Sequence, residues 1–307
     1  KKLVNTAAYI PCKDNEKIAF FDKKKLANLE VFNEHRHFHP GKTRNTLILG
    51  NITIGVLVCE DVWDESVVKD IVNQGPHILI VINASPFAEK KNELRIEVAK
   101  KIASTYGTPL AYLNMVGGQD EIIFDGGSFA INSKSELVAK EPFFKESHFL
   151  LEINRSKGST FIQKYPHKQQ NVCKLTPEAI QYNAICFALK EYVNKNGIEH
   201  VYLGLSGGLD SSLCCALACD ALGADRVTTL MLATKYTSQL SIDLAAEQAQ
   251  THGVNHKFIE IDEILEKYTL IFSQHKLNGG LTLQNIRARV RGNILMAFAN
   301  ENRGMVV

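Results

Sequence analysis

The chain lacks any apolar run near the roughly 18 residues that a membrane-crossing helix needs, which excludes a helical span. It lacks a signal-peptide pattern in its first residues, Lys-Lys-Leu-Val-Asn-Thr-Ala-Ala-Tyr-Ile, which read instead as a strand entered midway. Paired Cys-x-x-Cys spacing is missing among its seven cysteines (Cys12, Cys59, Cys173, Cys186, Cys214, Cys215, Cys219). Neither a zinc site nor a disulfide framework is therefore indicated, and a reducing cytoplasm is the expected home. An excess of one charge is missing too. With Lys+Arg at 35 against Asp+Glu at 33, no broad field is available to hold nucleic acid or an anionic membrane. Small molecules and other subunits are the expected partners. No internal repeat is visible. The final Met305-Val306-Val307 stops inside an apolar run, so both ends are expected to be cut ends.

What is present is 307 residues at 45% hydrophobic content, enough for about two compact domains. Strand and helix candidates alternate from residue 45: residues 47–58 with a turn at Gly50-Asn51, a helix at 66–72, and a strand at 77–82. A helix follows with Leu94, Val98 and Ile102 on one face, ended by Gly107-Thr108-Pro109. Residues 110–115 read as a strand, and 127–132 with 136–140 as a hairpin. Residues 1–153 thus predict an α/β domain with a partly antiparallel sheet. Residues 154–176 lose all period and read as a linker. Thr176-Pro177 then opens a helix, threonine as cap and proline where a missing N–H does no harm. Residues 177–307 run strand (200–203), helix (213–222), strand (227–232), helix (241–252), strand (257–261), helix (282–300) and a strand from Met305. That alternation predicts a doubly wound parallel sheet.

Directly after the first of these strands stands Gly204-Leu205-Ser206-Gly207-Gly208-Leu209-Asp210-Ser211-Ser212. Two glycines allow close approach to an anion, a helix start presents unpaired N–H groups, and serine hydroxyls add donors. No lysine follows the glycines, which separates this loop from G-x-x-x-x-G-K-[ST], and the glycine spacing differs from G-x-G-x-x-G. A plain glycine turn before a capped helix is the competing explanation. Residues 231–238 leave the next strand and are placed to line an adenine pocket, although a simple connecting loop fits as well. Arg287, Arg289 and Arg291 fan around half of a helix, where either a ligand contact or a solvated charged face accounts for them.

In the first half, Cys59 follows the apolar strand Gly55-Val56-Leu57-Val58, where a side chain projects into a cleft. A cysteine nucleophile needs exposure and a neighbouring base or cation, because the thiolate is the reactive form. Lys23, after the strand candidate at 17–21, offers a cation for an oxyanion. Taken alone, these residues fit a buried structural cysteine and a solvated lysine run better.

Larger patterns shift that balance. The Ser-Gly-Gly-Leu-Asp-Ser-Ser loop resembles the pyrophosphate loop of ATP-pyrophosphatases. Together with Lys235-Tyr236-Thr237-Ser238 and Gln284-Asn285-Ile286-Arg287-Ala288-Arg289-Val290-Arg291-Gly292 it resembles the NAD synthetase family. Lys23-x-x-Leu26-x-Asn28, Val31-Phe32-x-Glu34-x-Arg36-x-Phe38, Cys59-Glu60-Asp61-x-Trp63, Asn83-Ala84-Ser85-Pro86-Phe87 and Gly117-Gly118-Gln119-Asp120-Glu121 resemble the nitrilase-type glutaminase domain. The resemblance implies a partial nitrilase-like α/β sandwich fused to a partial adenine nucleotide alpha-hydrolase-like sheet, as in glutamine-dependent NAD synthetases. It implies Cys59 as nucleophile, Lys23 as oxyanion partner, and Ser85 with Lys91 as glutamine-holding residues. It also implies ATP on Gly204 to Ser211, Mg2+ on Asp210, deamido-NAD on Asn285 and Arg289, and a homo-oligomer. The glutamate of the family's Glu-Lys-Cys triad is expected upstream of Lys1, and further synthetase residues past Val307. Glu34 is the nearest auxiliary carboxylate and is not taken as that glutamate. Leu29 stands where glutamine-dependent members carry tyrosine. Two rivals remain: another amidotransferase with the same pyrophosphate loop, and a nucleotide-binding fragment without turnover.

Overall fold

The computed structural model describes residues 3–12, 17–28, 32–156, 159–164, 175–277 and 279–307. It divides into two compact units, residues 1–117 with 121–181 and residues 118–120 with 182–307. Leu29, the departure noted above, lies outside the described residues.

The first unit opens with an antiparallel pair, β1 (Thr6–Tyr9) and β2 (Ala19–Asp22). Then come β3 (Thr46–Leu49), β4 (Ile52–Val58), α1 (Glu65–Val72), β5 (Ile78–Asn83), α2 (Lys91–Tyr106) and β6 (Leu110–Asn114). The short strands β7 (Val116–Gln119), β8 (Ile122–Asp125), β9 (Phe129–Ile131) and β10 (Leu137–Lys140) follow, and β11 (Leu151–Ser156) pairs with β12 (Ser159–Lys164). Six strands form one sheet in the order β10-β9-β6-β5-β4-β3, parallel through β4, β5 and β6 and antiparallel at both flanks. Helical crossovers force the three central strands to be parallel, and burial on both faces explains their near-continuous apolar sequence. On one face Leu57, Leu79, Val81, Tyr112 and Phe129 meet Ile71 of α1 and Ile102 of α2. On the other, Ile78, Ala130 and Ala139 meet Ile162 of β12.

Two sequence expectations change here. Residues 154–156 and 159–164 belong to a hairpin instead of a linker, because Ile153 and Ile162 give its strands an apolar face to cover the sheet. Of the α2 face through Leu94, Val98 and Ile102, Ile102 is buried and Val98 packs against the core, but Leu94 is 45% exposed, so the buried side is turned toward Asn92, Arg95, Ala99 and Ala103. A fully paired ionic group, described below, turns the helix that way.

The second unit contains α3 (Pro177–Lys195), β13 (Val201–Gly204), α4 (Leu209–Leu222), β14 (Val227–Ala233), α5 (Gln239–His252), β15 (Asn255–Glu260), α6 (Asp262–Gln274), α7 (Gly280–Glu301) and β16 (Met305–Val306). The Thr176 hydroxyl accepts from the Ala179 N–H at 3.2 Å, the cap the sequence signals. All four strands are parallel, in the order β15-β14-β13-β16. Leu203, Cys215 and Ala245 pack on one face, and Tyr202, Leu230, Val290 and Ala299 on the other, so helices cover both sides. The chain steps outward from β13 to β15, then returns to the far side of β13 with β16. The end of β13 is thus the switch point where open α/β sheets bind ligands. Among the described residues no helix is long and apolar enough to cross a membrane.

Candidate active sites

In the first unit the apolar strand β4 delivers the chain to Cys59, whose φ of +51° places a non-glycine residue in the left-handed region. A turn of 3-10 helix, Cys59–Trp63, begins there. The buried Asp61 carboxylate holds it: one oxygen accepts from the Val58 N–H at 3.0 Å, the other from the N–H groups of Lys24 (2.9 Å) and Lys25 (2.7 Å). The same carboxylate that closes the cysteine turn therefore fixes the backbone just after Lys23. Asn45 adds a second tie, its amide donating to the carbonyls of Asp22 (3.0 Å) and Val56 (3.2 Å).

Lys23 is 2% exposed, and a buried ammonium persists only when paired. Its partner is Glu34, at 2.6 Å, which also accepts from the Ala27 N–H (2.6 Å) and the Asn5 amide (2.9 Å). Burial works to raise the Glu34 carboxyl, but the bonds from Lys23, Ala27 and Asn5 together with the Lys23 charge hold it below its ordinary value. Burial pushes the Cys59 thiol above its ordinary value; the Lys23 charge opposes this, while Glu60 and Glu34 add to it. Cysteine, lysine and glutamate thus share one field. Alkylation follows the thiolate, so iodoacetamide modification of the Cys59 peptide, mapped by mass spectrometry, should be slow near neutrality and keep climbing beyond the ordinary cysteine range. Glu60→Gln removes one opposing charge and should move that profile to lower pH. A plateau already at neutrality would mean a thiolate held by some stronger cation.

Strand register carries the site sideways. Val58 pairs with Ile82, and Asn83 with Asn114, so Cys59, Ser85 and Asn114 leave the same end of neighbouring strands. Asn83 Oδ1 and the Tyr112 hydroxyl, both buried on these strands, have no hydrogen-bond partner among the described residues. Ser85 is 7% exposed and held by Arg95 and Asn114. Lys91, in the first turn of α2, has its ammonium 5.5 Å from the Trp63 ring centroid. A cavity of about 340 Å³ bounded by Asn114, Gly126, Ser128 and Lys145 lies beside these residues, and Cys59 does not line it.

In the second unit the glycine loop spans the switch point between β13 and α4. Leu205 anchors it, buried and bonded through its N–H to the Leu230 carbonyl at 2.9 Å. Gly207 has φ +76°, and a Cβ there would stand 2.3 Å from the Ser241 carbonyl oxygen, so only glycine fits. Gly208 is the N-cap of α4 with no side-chain cap bond. The Ser211 hydroxyl braces the loop, accepting from the Ser206 N–H at 3.2 Å and donating to the Gly208 carbonyl at 3.0 Å. Asp210 lies exposed in the first turn of α4, with no partner among the described residues. A carboxylate there complements the positive helix end and is free to take a cation. Among the described residues no cluster of three or more His, Cys, Asp or Glu could hold a metal by itself.

The three arginines of α7 separate in role. Arg291 donates to the Leu232 carbonyl at 3.1 Å, fastening α7 to the carboxyl end of β14. Arg287 stacks 4.9 Å from the Tyr236 ring centroid, and Arg289 bends back to the Asn285 carbonyl of its own helix at 3.3 Å. Asn285 is exposed six positions before Arg291, about 9 Å further along the helix at 1.5 Å per residue. Because α7 runs against the strand direction, that stretch extends past the ligand-binding end of the sheet.

Residues 181–307 match the family model described as NAD synthase. Over 305 residues the chain is 36% identical to the glutamine-dependent NAD(+) synthetase of Acinetobacter baylyi, covering 99% of this chain and 55% of that protein. The glutamine-dependent NAD(+) synthetase of Rhodobacter capsulatus is 37% identical over 300 residues, 96% of this chain and 53% of that one. The solved glutamine-dependent NAD+ synthetase of Acinetobacter baumannii in complex with adenosine diphosphate superposes with a TM-score of 0.91 at 34% identity, covering 99% of this chain and 56% of that chain. Along nearly its whole length the chain is similar to glutamine-dependent NAD+ synthetases. It spans about half the length of the curated relatives it matches.

Proposed function

We propose that this chain carries the nucleophile of a nitrilase-type glutaminase and the ATP-binding loop of an NAD synthetase, within an enzyme that makes NAD+ from deamido-NAD, ATP and glutamine. One observation supports it above the others: a strained strand-end cysteine in the field of a buried lysine is joined, on one chain, to a lysine-free glycine cradle at a switch point. In the first unit the Cys59 thiolate attacks the amide carbon of glutamine, Lys23 steadies the developing oxyanion, and ammonia leaves. Water then cleaves the thioester to glutamate. Glu34 fixes Lys23 in place through their 2.6 Å ion pair; Ser85 and Lys91 hold the substrate. The general base is not assigned to a residue of this chain.

In the second unit the N–H groups and hydroxyls of Gly204 to Ser211 grip the ATP phosphates. A carboxylate oxygen of deamido-NAD, bound by Asn285 and Arg289, displaces pyrophosphate from the α-phosphorus. Ammonia then breaks the acyl-adenylate and releases AMP. Mg2+ takes few protein ligands beside phosphates, so the unpaired Asp210 fits it; when bound, it would neutralise charge on the leaving pyrophosphate. A homo-oligomer and a cytoplasmic setting belong to the same proposal. In the full-length protein, pyrophosphate release from ATP should depend on deamido-NAD. Release with another acid acceptor in its place would indicate a different amidotransferase, and ATP binding without release a protein that does not turn over.

A further inference from the structure

Arg95 is completely buried, and every direction of its guanidinium is used. Nη1 donates to both oxygens of Asp125 at 2.9 Å. Nη2 donates to the carbonyls of Ser85 (3.0 Å) and Pro86 (2.9 Å) and to the Ser85 hydroxyl (3.0 Å), and Nε reaches that hydroxyl at 3.3 Å. Asn114 closes the frame: its oxygen accepts from the Ser85 N–H at 2.9 Å, and its amide donates to Asp125 (3.0 Å) and to the carbonyls of Ser85 (3.3 Å) and Gly126 (3.2 Å). Ser85 is thus gripped at its amide, its carbonyl and its side chain.

The consequence lies in the polarity of one hydroxyl. A serine oxygen has two lone pairs and one proton, and in ordinary surroundings it turns to donate or to accept. Here two N–H groups of Arg95 point at the lone pairs, and among the described residues the hydroxyl donates to none. Only its proton remains to offer. An ammonium brought to Ser85 would find an oxygen already engaged by a cation, whereas a carboxylate or carbonyl oxygen would meet a pre-set donor. We propose that Arg95 is a positioning residue that fixes Ser85 as a one-way donor, so that the glutaminase site reads an acceptor oxygen of its amide substrate at this point and not the α-ammonium group. This rests on the glutaminase reading of the first unit.

The test uses the full-length protein with Arg95→Lys, Ser85→Ala and the double variant. Glutamine hydrolysis and ammonia-driven NAD formation are measured side by side. Arg95→Lys keeps the charge but loses the fork, and each single change should lower kcat/KM for glutamine by about 10- to 100-fold, mainly through KM, the range for a charge-assisted contact. Ammonia-driven synthesis should stay within about twofold, which shows that the protein is folded. The double variant should be no worse than the poorer single, because Arg95 acts through Ser85. Glutaramate, which keeps both acceptor ends of glutamine but has no ammonium, should suffer the same penalty in each variant. Additive losses, or a penalty that vanishes with glutaramate, would overturn the proposal. A wild-type protein that hydrolyses no glutamine would instead remove the glutaminase reading beneath it. Should Arg95→Lys fail to fold, Ser85→Ala with the glutaramate comparison decides the polarity alone.

Discussion

Replacing Cys59 by alanine in the full-length protein is expected to abolish NAD formation from glutamine, by roughly a thousandfold or more, while NAD formation from added ammonia stays within about twofold. The asymmetry follows from where the cysteine stands. It occupies a left-handed position at the end of a buried strand, tied through Asp61 to the backbone that presents Lys23. Alanine removes the nucleophile and leaves these bonds, which run through backbone and carboxylate atoms. The glycine loop proposed to hold ATP belongs to a separate unit with its own core. Loss of both routes, with intact thermal stability, would show that Cys59 is required for something other than glutamine hydrolysis.

The second large effect is expected at Gly207. A methyl group there would stand 2.3 Å from the Ser241 carbonyl oxygen, on a backbone whose φ of +76° already disfavours a side chain. That neighbour is backbone and cannot swing aside, so the loop itself must move. Gly207→Ala should therefore eliminate NAD formation from both glutamine and ammonia and remove ATP-dependent stabilisation in a thermal melt. Asp210→Ala gives the milder comparison. It breaks no bond within the described residues and removes only the carboxylate's interaction with the positive end of α4, so it should lower the melting temperature without nucleotide by no more than a few degrees and cut both routes together. An Asp210→Ala protein with an unaltered ammonia-driven rate would exclude this carboxylate from catalysis.

The features legible in the sequence were those that repeat or punctuate. The alternation of apolar strands with helices from Val201 onward signals the parallel sheet, and the glycines between β13 and α4 mark the switch point at the end of β13. One helix, α6, is poorly signalled by the sequence. α6 carries Leu265, Tyr268 and Phe272 at helical spacing, and two of these, Leu265 and Tyr268, pack against the core beside α7, so its signal was present but diluted by Glu263, Glu266 and Lys267.

The interior charges were harder to read. In sequence, Lys23, Glu34, Asp61, Arg95 and Asp125 have the composition of a solvated surface. Arg95 even sits beside Leu94, which the apolar spacing favours for burial and which the fold exposes. Each buried charge is stable only through a partner distant in the chain, Glu34 for Lys23 and Asp125 for Arg95, and nothing local announces such pairs. The hairpin from residue 154 onward reads as a linker in sequence for a related reason. Its polar residues dominate its composition, while a few alternating apolar ones decide its packing.

The most direct measurement follows one atom. The full-length protein is given ATP, Mg2+, deamido-NAD and glutamine labelled with heavy nitrogen only in its side-chain amide. The label should appear in the carboxamide of NAD+, with one AMP and one pyrophosphate formed per NAD+, and should be absent when Cys59 is alanine. Labelled ammonia released without NAD+, or NAD+ formed without the label while glutamine is consumed, would contradict the joining of the two chemistries in one enzyme.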